Sequence, residues 1–479
     1  MPLLDPVPIP VEAELGAVHF IAIGGSSMSG IAQVMAGLGH RVSGSDVQDS
    51  PVLEDLAARG IEVFVGHRAD QIGDADTVVH NSAIRDDNPE LAAARERGLR
   101  VLHRSVALAS LAAAAERTVA ISGTHGKTTT SAWLAVLLAG LGRDPSYLVG
   151  APIAANGVTR PDSFAHLGHG PEFVIEADES DGTFRQYPAR MVVVTNVEAD
   201  HLDNWGTAEA YAAGFDAFAA GPGVEVAVVN ADDPGAMALA DRVRDRVRVV
   251  TYGEAAGADV RLTDVELAAD RSTATIRHDG AGGIIRVPLL GRHNLSNAAA
   301  AYAVGRLLGA GDAQTRLALG RFTGTSRRFQ KVGEVHQVRV YDDYAHNPTK
   351  VRSALQAART AAGRGRLVVC FQPHLFTRTR DFADEFAAAL SLADEVVVTD
   401  VYPAREDPLP GITGATVAER VRTVRDHPAH FVPDLDEAAR VTARLARPWD
   451  LVMTVGAGSV TRIAAEILRL LDEPGGGAR

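Results

Sequence analysis

The stretch Val119-Ala-Ile-Ser-Gly-Thr-His-Gly-Lys-Thr-Thr-Thr130 decides how this chain folds. Val119–Ser122 is a short apolar run, and from Thr128 to Leu141 the pattern becomes helical. A strand that passes through glycines into a helix is the context a phosphate-binding loop requires. The glycines let backbone N–H groups turn toward phosphate oxygens, and the helix N-terminus adds its positive end. Gly123, Thr124, His125, Gly126 and Thr129 form the cradle, Lys127 meets the β- and γ-phosphates, and the Thr128 hydroxyl meets a magnesium ion. The spacing is a compact Gly-x-x-Gly-Lys-Thr, because Ile121 stands where the longer Gly-x-x-x-x-Gly-Lys pattern has its first glycine. Lys127 is also one of only three lysines, with Lys331 and Lys350, among 47 basic residues.

Two acidic segments follow predicted strands downstream. Glu176-Ala-Asp-Glu-Ser-Asp181 comes after Phe173–Glu176, and Thr195-Asn-Val-Glu-Ala-Asp-His-Leu-Asp203 after Val192–Thr195. The C-terminal ends of strands are where α/β folds hold ligands. Carboxylates and one imidazole facing a phosphate loop suit a magnesium ion held between phosphates.

Working outward, strand and helix patterns alternate along the chain, which predicts an α/β protein with parallel sheets. The first set has strands at His19–Ile23 and Thr77–His80 and helices at Gly30–Leu38 and Val106–Ala115. Residues 259–290 read instead as a small antiparallel piece with turns at Asp-Gly and Gly-Gly, followed by a helix near Asn294–Leu308. From Arg321 the alternation restarts, with strands at Arg339–Asp342, Leu367–Phe371, Glu395–Thr399 and Leu451–Thr454, and the tail Glu473–Arg479 is expected to fray. The length of 479 residues suits about three domains. The expected boundaries are 1–112, 113–320 and 321–479.

Composition excludes several function classes. Hydrophobic residues make up 46% and charged residues 22%, so a wholly disordered chain is excluded. A net charge of −13 with no basic patch argues against nucleic acid or an anionic membrane as partner. Cys370 is the only cysteine, so no intrachain disulfide exists. No apolar run reaches the ~18 residues of a membrane span, and Met1–Leu15 carries no Lys or Arg of a secretory signal. A cytoplasmic location is therefore expected. Nothing in the sequence sets the oligomeric state.

Near the start, Gly24-Gly-Ser-Ser-Met-Ser-Gly30 suggests a dinucleotide loop, but against Gly-x-Gly-x-x-Gly it offers Ala22, Gly24 and Ser27. Asp46, 22 residues past Gly24, stands where an acid grips a ribose hydroxyl. Further candidates are Gly291-Arg-His-Asn-Leu-Ser-Asn297, Ser326-Arg-Arg-Phe-Gln330, Asp342-Asp-Tyr-Ala-His-Asn-Pro348 and Gln372-Pro-His-Leu-Phe-Thr-Arg378. Paired arginines suit an incoming phosphate, whose oxygens a guanidinium matches in pairs.

Taken in order, with His19-Phe-Ile-Ala-Ile-Gly-Gly25, Ser43-Gly-Ser-Asp46 and Tyr402-Pro-Ala-Arg-Glu406, these segments resemble the Mur ligase family over essentially the whole chain. The resemblance implies a three-domain architecture: a Rossmann-like N-terminal domain for a UDP-sugar, a central ATPase domain with a small antiparallel part, and a Rossmann-like C-terminal domain for an amino acid. It implies amide formation driven by ATP with Mg²⁺. Within the family, the Glu-Ala-Asp-Glu-Ser-Asp segment favours joining L-alanine to the lactyl carboxylate of UDP-N-acetylmuramate through an acyl phosphate. The alternative is the relative that attaches a recycled tripeptide to the same sugar. A nicotinamide-dependent dehydrogenase and a non-catalytic regulator are weaker readings: the first lacks its glycines, and the second should have lost Lys127, Glu176, His201 or Arg328.

Carried over by motif, Lys127, His201, Arg328 and His346 are the catalytic set, and Thr128, Glu176 and His201 hold the metal. Asn294 contacts adenine, Arg328 the γ-phosphate and Asp343 the ribose. Gly25, Ser45, Asp46, His67, Ser82, His125, Glu179 and Ser180 serve the UDP-sugar, and His346, His374 and Arg378 the amino acid. The sequence departs from the family pattern at three places. Ala22-Ile-Gly-Gly-Ser-Ser-Met28 stands for Gly-Ile-Gly-Gly-Ile-Gly-Met, and Pro373-His-Leu-Phe376 lacks the arginine of Pro-His-Arg-Tyr. Leu202–Gly223 contains no lysine, the residue that several relatives carbamylate to hold a second magnesium ion.

Overall fold

A computed structural model describes residues 3–155, 158–159, 164–268, 270–404, 406–425 and 429–473. The expectation of a frayed tail and the Arg405 position of the Tyr402-Pro-Ala-Arg-Glu segment lie outside them. The chain forms two compact units. The first contains residues 1–265, 273–287 and 293–323, and the second contains 266–272, 288–292 and 324–479.

The first unit holds a five-stranded and a ten-stranded sheet, and Ile153–Ala155 pairs antiparallel with Val158–Thr159 in a small further one. The five-stranded sheet is parallel, in the order Glu62–Val65, Val42–Asp46, Val18–Ile21, Thr77–His80 and Arg100–His103. The strand order reverses direction beside Val18–Ile21, and a ligand crevice opens at such a point. Three of the five strands were not legible in advance. Val42-Ser-Gly-Ser-Asp46 carries too little apolar signal, and Glu62–Val65 is an edge strand with half-exposed residues.

The expected strand His19–Ile23 ends at Ile21, because Ala22 takes a positive φ of 63°. This is the position where the family pattern has glycine, and a Cβ there costs about 1–2 kcal/mol. Ala22→Gly is therefore expected to raise the melting temperature slightly, since relief of strain outweighs the ~0.5–1 kcal/mol of added chain entropy. Calorimetric melting checks it, and a lower melting temperature would show that the alanine methyl packs more than it strains.

The second sheet has ten strands and is built around Arg117–Ser122. Glu172–Glu176 and Met191–Val194 flank that strand in parallel. Val119, Ala120 and Ile121 are fully buried, as are Val192, Val193 and Val194, so the strands are covered on both faces. The strand leads through the glycine loop into the helix Lys127–Gly140. That helix is fixed by Trp133, which is fully buried, packs on Phe322 at 4.8 Å and donates to the Leu319 carbonyl at 3.0 Å.

At its far side the sheet continues through Val226–Asn230 and Arg248–Gly253 into Val260–Leu267, Ser272–His278 and Ala281–Val287. The last two form the expected hairpin, turning at Asp279-Gly280 with φ of 49° and 72°. The expected Gly-Gly turn is a correction: Gly282 and Gly283 lie inside the strand Ala281–Val287.

In the second unit a six-stranded sheet runs Gln330–Val335, Val338–Asp343, Leu451–Val455, Leu367–Phe371, Glu395–Val398 and Ala429–Phe431. Its first strand pairs antiparallel and the others parallel. Cys370 is wholly buried on the central strand Leu367–Phe371, and burial pushes its thiol up to about 12, so it is a packing residue. No described helix is long and apolar enough to cross a membrane.

Candidate active site

The phosphate loop is stitched to the segment after Met191–Val194. Asn196 holds the His125 backbone from both sides: its Oδ1 accepts from the His125 N–H at 2.8 Å, and its Nδ2 donates to the His125 carbonyl at 3.1 Å. The Thr124 hydroxyl donates to the Glu198 carbonyl at 2.9 Å and lies 2.9 Å from the buried Tyr211 hydroxyl. Gly123 has φ of 141°, and a Cβ there would overlap the Thr195 hydroxyl, so only glycine fits. Gly126, at φ 83°, starts the helix against Asn297. Asn297 also accepts from Thr130 at 3.2 Å and donates to Asn294 at 3.3 Å, which brings the helix Arg292–Leu307 to the loop.

Lys127 bends back into the loop. Its Nζ donates to the Gly123 carbonyl at 2.8 Å and forms an ion pair with Glu179 at 2.6 Å. Burial opposes its charge, but Glu179 and Asp178 hold the ammonium above its ordinary value. Glu179, expected at the sugar end, is fully buried between Lys127 and His201, the latter 3.6 Å away.

Burial likewise opposes the charge on Asp178, yet Lys127 and Arg104 keep its carboxyl below the usual range. Arg104, at the start of the helix Arg104–Ala114, lies 3.5 Å from Asp181 and ties the acidic segment to the first sheet's domain. The Leu4 N–H donates to the Asp181 carbonyl at 3.0 Å, so the N-terminal segment braces the same loop. Ser180 donates its backbone N–H to Asp178 at 3.1 Å.

The Thr128 hydroxyl donates to Glu176 Oε1 at 2.8 Å, and Glu176 Oε2 accepts from the Gly150 N–H at 2.6 Å. His201 starts the short helix Leu202–Trp205 with φ of 53°, and its backbone N–H is held by Asp200. Among the described residues no group of three or more His, Cys, Asp and Glu is gathered for a metal. Two hard oxygen donors already within hydrogen-bond distance nonetheless suit Mg²⁺, which takes one or two protein ligands and fills its shell with phosphate oxygens and water.

At the first sheet, Asp46 Oδ2 accepts from the Gly24 N–H at 2.9 Å, and the helix Ser26–Gly37 starts immediately after Gly25. Ser82 contacts His103 Nε2 at 3.0 Å. Ser45 is fully buried, and its hydroxyl donates to Glu90 at 2.6 Å and lies 2.9 Å from His67 Nδ1. Glu90 carried no readable signal.

The second unit gathers the C-terminal candidates. Arg327 donates to the Gly456 carbonyl at 2.8 Å and serves the fold. Arg328 lies over the Tyr344 ring at 5.1 Å, and among the described residues its guanidinium has no hydrogen bond or ion pair. Asp343 accepts from the Phe329 and Ala345 N–H groups at 2.7 and 2.8 Å, and burial pushes its carboxyl up.

His346 Nδ1 lies 2.9 Å from the Tyr344 carbonyl, which can only accept, so Nδ1 carries the proton and Nε2 the lone pair. Burial first, then Lys350 and Arg378, hold this imidazole well below its ordinary range, so it is neutral at physiological pH. His374 stacks on Tyr402 and meets the His346 ring at a tilt of 51°, with both ring centroids 5.7 Å away. Leu375 takes φ of 71° before the helix Phe376–Asp381, which carries Arg378.

Sheets with a phosphate loop, carboxylates beside it and a separate unit bearing arginine and free-base imidazole define an ATP-dependent ligase of three α/β domains. The chain belongs to the Mur ligase family. Residues 17–116 match the Mur ligase family catalytic domain, 121–305 the Mur ligase middle domain and 327–458 the Mur ligase glutamate ligase domain. It is 51% identical over 475 residues to the UDP-N-acetylmuramate–L-alanine ligase of Cutibacterium acnes, covering 98% of this chain and 99% of that protein. It is 52% identical over 467 residues to the ligase of the same name from Kineococcus radiotolerans, covering 96% and 97%. The crystal structure of UDP-N-acetylmuramate-alanine ligase from Thermotoga maritima superposes with a TM-score of 0.80 at 30% identity, covering 95% and 98%.

Proposed function

We propose that this chain joins L-alanine to the lactyl carboxylate of UDP-N-acetylmuramate at the expense of ATP, in peptidoglycan precursor synthesis. The observation that carries this reading is the full-length likeness to ligases named for that reaction. The domains proposed are 1–112 for the UDP-sugar, 113–320 for ATP and 321–479 for the amino acid.

A carboxylate is a poor acyl donor. Its oxygen therefore attacks the γ-phosphorus, ADP leaves, and an acyl phosphate forms. The amine of alanine then attacks the acyl carbon, and the tetrahedral intermediate collapses with loss of phosphate. Phosphoryl transfer asks the protein for position and charge neutralisation. Lys127 and Arg328 supply positive charge to the phosphates, and the neutral Nε2 of His346 receives the amine proton. Arg378 and His374 bind the alanine carboxylate. Thr128, Glu176 and His201 would hold Mg²⁺, which when bound neutralises phosphate oxygens.

Phosphate release with ATP, UDP-N-acetylmuramate and a panel of amino acids tests the reading. L-Alanine is expected to give the highest kcat/KM. Release with the tripeptide instead would identify the recycling ligase. Because Leu375 stands where relatives have arginine, a weak KM for alanine is expected, and Leu375→Arg should leave it equal or lower. A large loss of affinity would show that Leu375 packs against the alanine methyl.

The helix Ala208–Ala219 and its flanks offer no lysine for a carbamate. Turnover should therefore be the same in bicarbonate-depleted and bicarbonate-supplemented buffer at fixed pH. Activation by bicarbonate would overturn that expectation.

A further inference from the structure

The N-terminal domain buries a polar cluster that the ligand-binding residues named so far do not account for. Glu90, the second residue of the helix Pro89–Glu96, is wholly buried. Its backbone N–H is capped by Asn88 at 3.0 Å, which fixes where the carboxylate enters the domain. Glu90 Oε2 accepts from the Ser45 hydroxyl at 2.6 Å and lies 3.0 Å from His67 Nδ1. Glu90 Oε1 lies 3.5 Å from Nε2 of His19, which is also fully buried and whose Nδ1 is 2.9 Å from the Ser43 hydroxyl. One carboxylate thus joins the strands Val18–Ile21 and Val42–Asp46 to the loop after Glu62–Val65.

A buried carboxylate is costly unless paired and hydrogen-bonded. Burial pushes Glu90 up, but the His19 contact, the Ser45 hydroxyl and the nearby imidazoles overcome it and leave the carboxyl below its usual value. The acid is therefore ionised and can only accept. The Ser45 proton is already given to Glu90, so the contact between Ser45 and His67 Nδ1 at 2.9 Å also needs its proton from the imidazole. Both neighbours require the proton of His67 on Nδ1.

We infer that Glu90 is a positioning residue for the nucleotide-sugar site: it holds His67 as the Nδ1-protonated tautomer, so that Nε2 presents a lone pair to the ligand. Of the groups on a uridine, only the ring N3–H and the ribose hydroxyls can donate to such an acceptor. The inference rests on the reading of His67 as a UDP-sugar contact. A buried pair that merely stapled the domain would affect melting and leave substrate affinity alone. A carboxylate that orients a ligand-binding imidazole affects both, as carboxylates do behind metal-bound histidines.

Glu90→Gln keeps the shape, removes the charge and can offer an N–H to Nδ1, which drives the imidazole proton to Nε2. The KM for UDP-N-acetylmuramate is expected to rise about ten-fold, with kcat and the KM values for ATP and alanine unchanged. In ¹⁵N spectra of histidine-labelled protein, the signal missing in His67→Gln should show a protonated Nδ1 in the parent and a protonated Nε2 in Glu90→Gln. If Glu90→Gln does not fold, Ser45→Ala replaces it and should shift KM in the same direction.

A parent spectrum with the proton on Nε2 overturns the inference. So does an unchanged KM in the folded Glu90→Gln variant while His67→Gln raises it. An unchanged KM in His67→Gln removes the UDP-sugar contact on which the inference rests. Absence of alanine-dependent phosphate release in the parent strikes the ligase reading instead.

Discussion

Lys127→Ala is expected to lower kcat by roughly 10³-fold or more while UDP-N-acetylmuramate still binds with its parent affinity. The lysine ammonium is buried at the Gly123 carbonyl and paired with Glu179. An incoming γ-phosphate replaces that carboxylate as the partner of the charge. Without the ammonium, the charge that develops on the transferring phosphoryl group is left uncompensated. Of the proposed UDP-sugar contacts, Gly25, Ser45, Asp46, His67 and Ser82 belong to the proposed domain 1–112, away from the loop in sequence, so their contacts are expected to survive. Isothermal calorimetry on the variant checks both halves. Loss of UDP-sugar binding in a protein that still melts cooperatively would overturn the proposed assignment of ligands to domains. Removing Lys127 also leaves Glu179 as a buried charge without its ion pair, which is destabilising. Lys127→Ala paired with Glu179→Gln separates that structural cost from the catalytic one: the double variant should melt near the parent and remain inactive.

Glu176→Gln is expected to lower kcat/KM for ATP by about 10²-fold, with part of the loss recovered as Mg²⁺ is raised. Oε1 of Glu176 accepts the Thr128 hydroxyl, and Oε2 holds the Gly150 N–H. A glutamine can still accept one of these hydrogen bonds but has no charge for a divalent cation. A magnesium titration of initial rates therefore discriminates between two roles. Recovery at high Mg²⁺ marks Glu176 as a metal holder. A loss that magnesium leaves untouched would mark it as the scaffold of the Gly150 turn and remove it from the metal set. The KM for alanine should not change in either case.

Much of this was legible in the chain itself, for identifiable reasons. Residues 119–121, within the strand Arg117–Ser122, and Leu367–Phe371 are short apolar runs buried on both faces, and such runs announce themselves without context. The glycines at 123 and 126 were readable because the loop needs backbone conformations that other residues avoid, and Gly123 proves to have room for nothing else. Lysine after glycine and acids at strand ends pointed to phosphate and magnesium through local spacing alone. The alternation of strand and helix was enough for an α/β protein of about three domains.

The tertiary structure decided which side chains meet. Asn196 and Asn297, which hold the phosphate loop, are separated from it by 71 and 167 residues along the chain. No spacing rule connects such positions, because they become neighbours only when parallel strands and the packed helix Arg292–Leu307 bring them there. The resemblance assigned Glu179 to the sugar end, and the fold buries it completely against Lys127. The tautomers of His67 and His346 also came from the fold, since a neutral imidazole places its proton according to the acceptor beside it. Local sequence determined the elements and the loop chemistry, because backbone preference and apolar periodicity act over a few residues. Partners, burial and protonation were decided by packing, because those depend on atoms that are close in space and distant in the chain.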